Sequence, residues 1–184
     1  MTHRVAAGVK GQGGFTLIDM LLVVALIGTL SALAIPGLMR ARNAAQSSSA
    51  LGTVRVINSA QLSFAISCGL GFYAPDFTTL GKKPPSALEG FLAPELATGN
   101  TFVKSGYNFS MAGAALPGAP ASCNGLAAGQ AVPAYALIAD QVDEANTPRF
   151  FGTNADGTIY EHTSSLATIM PETGSPSAGT VVQK

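Results

Sequence analysis

The sequence predicts an α+β protein: one long N-terminal helix, apolar in its first half and amphipathic in its second, followed by a head with a small antiparallel sheet of about four strands. Three observations carry this expectation. Residues 15–39 hold one charge, Asp19, in 25 positions. Residues 40–68 repeat apolar side chains at steps of three and four. From residue 69 on, short alternating runs stand between Gly- and Pro-rich stretches, with 21 Gly and 11 Pro in the whole chain. Only 11% of the 184 residues are charged, against about 25% in an average soluble domain. The 10 basic and 10 acidic side chains balance, so there is no basic surplus to hold nucleic-acid phosphates.

The apolar element comes first. No charge occurs between Met20 and Ile35, and at about 1.5 Å per residue the 15–39 helix is long enough for a hydrocarbon core of roughly 30 Å. Arg4 and Lys10 precede it and Arg40 and Arg42 follow it. The positive-inside rule therefore ties on side chains, and the N-terminal amine tips the orientation towards a cytoplasmic N-terminus. Three readings fit such a segment. One is a plain membrane anchor. Another is a secretory signal peptide cut after the small-residue site Ala32-Leu33-Ala34. Against that stand the nearby Pro36, the interrupting Asp19 and a long basic region. The third rests on the junction Gly13-Gly14-Phe15-Thr16-Leu17-Ile18-Asp19, where glycine and then phenylalanine directly precede an apolar helix carrying one acid.

The segment 10–36, KGQGGFTLIDMLLVVALIGTLSALAIP, resembles the leader and first helix of type IV prepilins and their relatives. The resemblance implies that residues 1–14 are a leader removed by a prepilin peptidase between Gly14 and Phe15. It implies further that the new Phe15 amine is N-methylated and that residues 15–39 are the transmembrane and later filament-core helix. The family acid at the fifth position after the cut is usually glutamate; here it is Asp19. Its implied role is to pair with the Phe15 amine of a neighbouring subunit once the helices leave lipid, because a carboxylate in apolar surroundings is costly unless paired. Gly28 and Pro36 disfavour helix by roughly 1 and 3 kcal/mol relative to Ala. The bland outcome is a kink, and the resemblance suggests unwinding between them in a filament.

The helix continues through residues 40–68. Leu51, Val54, Ile57, Ala60, Phe64 and Cys68 form its apolar stripe, with Arg55, Asn58, Gln61 and Ser63 mostly off it. Residues 69–184 are the head. Residues 69–100 read as loop, including a solvated Lys82-Lys83. Ser105 to Met111 alternates, with Tyr107, Phe109 and Met111 on one face, and reads as a strand. Ala134 to Ala139 reads as a second. Arg149 to Gly152 and Thr158 to Glu161 read as a hairpin around Asn154-Ala155-Asp156-Gly157. The Ser/Thr/Pro/Gly-rich stretch from Thr163 reads as an ordered, then frayed, tail. The pieces KSGYNFSM and FFGTNADGTIY also resemble heads of bacterial pilin-like proteins. In a head placed outside the cytoplasm, Cys68 and Cys123 are expected to bridge, with two free buried thiols as the alternative.

Other motifs carry less. Asn154-Ala155-Asp156-Gly157 lacks both key carboxylates of a calcium loop, since Gly152 and Thr163 occupy those places. Asn108-Phe109-Ser110 fits a glycosylation acceptor but lies in a strand. Met170-Pro171-Glu172-Thr173-Gly174 resembles a cell-wall sorting signal without the apolar segment and basic tail that such a signal needs. His162 is the one histidine outside the leader, so no Ser-His-Asp or Cys-His set can be assembled, and no enzyme activity, metal or cofactor is expected. The expected function is that of a filament subunit, with the membrane, a prepilin peptidase, an inner-membrane assembly platform and copies of itself as partners. The leader would be cytoplasmic and the head periplasmic before export into an extracellular filament. A type II secretion pseudopilin or minor pilin shares these signals, and the Asp19 departure keeps that alternative open. A monomeric anchored or secreted binding domain is the reading from a different class.

Overall fold

The computed structural model describes residues 14–143 and 148–183. The basic leader with Arg4 and Lys10 lies outside these residues. The chain divides into two compact units, with the boundary between Arg42 and Asn43. Among the described residues, helix α1 spans Leu17–Ser67 and short helix α2 spans Phe77–Gly81. Six strands follow: β1 Thr101–Lys104, β2 Tyr107–Ala112, β3 Ala136–Gln141, β4 Phe150–Asn154, β5 Ile159–His162 and β6 Thr180–Gln183. The expected α+β class and antiparallel sheet are present, with six strands where about four were expected.

Residues 14–42 of the first unit are exposed at every position. In the second unit α1 changes character. Its nine buried residues begin at Ser47 and include Ala50, Val54, Ile57, Ala60 and Phe64. This stripe matches the periodicity of the sequence, with Leu51 only partly buried. It forms one side of the main core, and Tyr107, Phe109, Met111, Leu137, Ala139 and Phe151 of the sheet belong to the same cluster. Fully burying a side chain such as Ile57 or Phe64 contributes roughly 1.5–3 kcal/mol.

The sheet is a meander in the order β1-β2-β3-β4-β5-β6, each strand antiparallel to the next. In β2 the alternation is as read from the sequence: Tyr107, Phe109 and Met111 are buried while Asn108 and Ala112 are exposed. The strand itself starts at Tyr107 rather than Ser105. Ser105 and Gly106, with φ of 52° and 78°, instead make a two-residue turn back to β1. Paired positive φ values suit the twist of a hairpin. The β1 run TFVK was too short, and too close to loop residues, to stand out.

The hairpin around residues 154–157 is present. The Gly157 N–H donates to the Asn154 carbonyl at 2.9 Å, and Thr153 faces Ile159 in register. Two further expectations are corrected. The stretch 69–100 contains α2, capped by Asp76, whose carboxylate accepts the Thr79 N–H at 2.6 Å. The tail does not simply fray. Leu166 and Met170 pack with Ile138 and Tyr160 in a second buried cluster, and the chain then adds β6 beside β5. Gly152 permits this cover, since a Cβ there would lie 2.9 Å from a Leu166 methyl carbon. Covered in this way, β4 is buried at all five positions.

Candidate functional site

The candidate site is the start of α1 and the apolar length behind it. Gly14, Phe15 and Thr16 lie outside regular structure, and helix begins at Leu17. The helix starts there because Thr16 caps it. The Asp19 carboxylate accepts the Thr16 backbone N–H at 3.1 Å and its hydroxyl at 2.7 Å, while the Thr16 hydroxyl accepts the Asp19 N–H at 3.3 Å. This is a capping box with Asp in the place of the usual Glu or Gln. It also puts a negative charge at the positive end of the helix dipole. Phe15 and Asp19 are both exposed, Phe15 at 81%. Sequence reading overlooked Thr16, although Thr-x-x-Asp directly before an apolar run is itself a capping signature.

Behind the cap, Leu17, Leu21, Val24, Ile27, Leu30 and Leu38 are among the exposed large apolar side chains. The helix is long and apolar enough to cross a membrane. It stays helical through Gly28 and Pro36, although Pro36 has no N–H to offer the Ala32 carbonyl. Thr29 donates its hydroxyl to the Leu26 carbonyl at 2.9 Å, which keeps that polar group satisfied along an apolar face.

No protein-family model, curated protein or solved structure matches this chain.

The head brings the two cysteines together. Cys68 and Cys123 form a disulfide with Cα atoms 4.9 Å apart, closing 55 residues of chain. Gln61, read from the sequence as lying off the apolar stripe, is fully buried. Its amide donates to the Ala74 carbonyl and accepts the Ala74 N–H, both at 2.9 Å. That pairing fastens the chain after α1 back onto the helix.

Other polar groups of the head pair with one another, some within turns and some between elements. His162 Nδ1 accepts the Ser164 N–H at 3.1 Å and lies 2.8 Å from the Ser164 hydroxyl, a local contact across two residues. Arg149 lies along Glu161 with two hydrogen bonds, 2.5 and 2.7 Å, and over the Phe151 ring at 5.5 Å. Burial pushes the Tyr107 and Tyr135 hydroxyls above the usual tyrosine range. A cleft of about 270 Å³ is lined by Asn58, Tyr73, Tyr135 and Asp156 among others. The Asn58 amide is already engaged, donating to Thr153 at 3.0 Å and accepting from Tyr135 at 3.1 Å. Among the described residues, no three His, Cys, Asp or Glu side chains come together as a metal site.

Proposed function

We propose that this chain is the precursor of a structural subunit of a type IV pilus or pilus-like extracellular filament. A prepilin peptidase cuts it between Gly14 and Phe15, the Phe15 amine is N-methylated, and the subunit polymerises through α1. The observation that carries the reading is an apolar helix exposed on every side, opened by a non-helical Gly14-Phe15 junction with one acid, Asp19, in its first turn. A surface of that kind needs a non-aqueous partner. Lipid supplies it while the subunit is stored in the inner membrane, and other copies of the helix supply it in a filament.

Asp19 gives the assembly step its chemistry. Moving the carboxylate into a helix bundle is costly without a counter-charge, and cleavage creates one at Phe15 of the next subunit. Before cleavage the same nitrogen is a neutral peptide group, so processing acts as the switch. Within one subunit the carboxylate is held by Thr16, and pairing across subunits must compete with that contact. Asp in place of Glu shortens the reach to a neighbour, and a type II secretion pseudopilin or minor pilin is the alternative form of the same function. Extension of residues 28–36 belongs to the assembled state.

Mass analysis of the mature N-terminus tests the reading. A chain starting at N-methylated Phe15 is expected. One starting at Ile35, or an unprocessed chain in a peptidase-competent cell, defeats it. Peptide identification in sheared filaments then separates a major subunit from a minor component.

A further inference from the structure

We propose that the Cys68–Cys123 disulfide is a one-sided site for thiol–disulfide exchange. An external dithiol attacks at Sγ of Cys123, Cys68 is the leaving group, and the loop that carries Cys123 stays docked throughout. The site lies in the unit that begins at Asn43 and is independent of residues 14–42.

The two cysteines sit in different surroundings. Cys68 is 4% exposed and belongs to the main core, next in sequence to the last residue of α1. Cys123 is exposed, in the loop between β2 and β3. Exchange depends on which sulfur a thiolate can reach, and of the two residues Cys123 is the one open to solvent. The attacking thiolate forms a new S–S bond to Cys123. The old bond breaks with its electron pair on Cys68, which takes up a proton inside the core. The second thiol of the dithiol then displaces Cys123 from the mixed disulfide, and Cys123 is protonated in turn. Two electrons and two protons pass from the dithiol, which ends as a disulfide, to the two cysteines. Oxidation of the reduced head runs through the same mixed disulfide in reverse, so an oxidoreductase of the dithiol class meets the same sulfur in both directions.

The loop does not depend on the sulfur bridge for its place. Asn124, only 8% exposed, donates its amide to the Thr79 carbonyl at 2.7 Å and to the Lys82 carbonyl at 3.1 Å, around the end of α2. Ser122 donates its hydroxyl to Asn124 at 2.5 Å and accepts the Leu126 N–H at 3.1 Å. The Cys123 N–H donates to the Cys68 carbonyl at 3.2 Å, a backbone contact that does not involve the sulfurs. Further along, the Gly129 N–H donates to the Ala119 carbonyl at 2.8 Å and Ala119 is buried. Exchange therefore opens a bond without releasing the segment that holds its two sulfurs together.

The test uses the full chain in detergent micelles. Brief exposure to glutathione, quenched with acid, is followed by mapping of the mixed disulfide; glutathione on Cys123 is expected, and glutathione on Cys68 or equally on both overturns the proposal. Single-cysteine variants provide a second measurement. With Cys68→Ala the remaining Cys123 should react with N-ethylmaleimide at least tenfold faster than Cys68 does in Cys123→Ala, and denaturant should abolish the difference. Amide exchange of the wild type after full reduction with dithiothreitol completes the test. Retained protection at Cys123 and Gly129 is expected, and loss of protection there on reduction shows that the loop is held by the bridge and sinks the second half of the claim.

Discussion

The two parts of α1 share a backbone conformation and almost nothing else. Residues 17–42 bury no side chain, while from Ser47 to Ala65 the same helix buries nine. The first part has Leu, Ile and Val around its whole circumference; the second confines Val54, Ile57, Ala60 and Phe64 to one stripe. The difference teaches that an apolar helix and an amphipathic one are answers to different solvents. A helix apolar on all sides is suited to lipid or to a bundle of its own kind, and a helix with one stripe is suited to a sheet on one side and water on the other.

Substitutions in the two parts should separate most sharply where packing is tightest. Phe64→Ala is expected to destabilise the head by about 3–5 kcal/mol through lost burial and a cavity. Leu26→Ala, at a position 55% exposed, should leave head unfolding within about 0.5 kcal/mol of wild type. Urea titration followed by tyrosine fluorescence reads both, and equal effects would erase the distinction between the two parts. Gln61→Ala comes next. It leaves the Ala74 N–H and carbonyl without their partner in the core, at about 2 kcal/mol in the same titration.

An alkaline titration sharpens the comparison further, because Tyr107 and Tyr135, the tyrosines whose hydroxyls are shifted, lie in the head. Their hydroxyls titrate above the ordinary value of 10.0 because burial disfavours the phenolate. The folded state therefore holds protons that the unfolded state has released. The stability they contribute is complete below pH 10 and declines above it, by up to about 1.4 kcal/mol per pH unit for Tyr135 while it stays protonated in the fold. Absorbance at 295 nm should show these hydroxyls ionising together with unfolding. Ionisation of all four tyrosines before any loss of structure would contradict their burial.

Smaller effects follow at the helix start and on the surface. Thr16→Ala removes the capping hydroxyl and should cost about 1 kcal/mol in the first turn of α1. Amide exchange at Asp19 and Met20 reads this, with head amides unchanged. Arg149→Ala breaks the exposed pair with Glu161 and the contact over Phe151, and should cost under about 1 kcal/mol, less at high salt. A loss of several kcal/mol would mean that the pair is buried from solvent.

Much of this division was legible in the sequence. The charge-free run from Met20 to Ile35 and the three-four spacing from Leu51 to Cys68 are strong periodic signals, and the alternation at Tyr107, Phe109 and Met111 is a strong one of the other kind. What stayed hidden depends on contacts far apart in sequence. Thr180-Val181-Val182 becomes a strand only because β5 offers an edge and Leu166 has seated the intervening chain on Gly152. Gln61 is polar by composition and buried by partnership, since Ala74 supplies a donor and an acceptor in one place. Asp76 was within reach of sequence reasoning as a cap, but a helix of five residues has too little periodicity to reveal itself. At the candidate site, Gly14, Phe15, Asp19, Gly28 and Pro36 stood out through spacing and resemblance. Thr16 was missed because its role appears only when the helix start is drawn one residue after it.

The meander order of the sheet has a consequence for how the head is made. Every strand finds its hydrogen-bonding neighbour in the next stretch of chain, from β1 through to β6. No strand must wait for one out of chain order, and the close partners, β1 with β2 and β4 with β5, favour rapid closure. A head that folds in chain order can thus lay down its sheet strand by strand, and keep its growing edge exposed only for as long as the next strand takes to arrive.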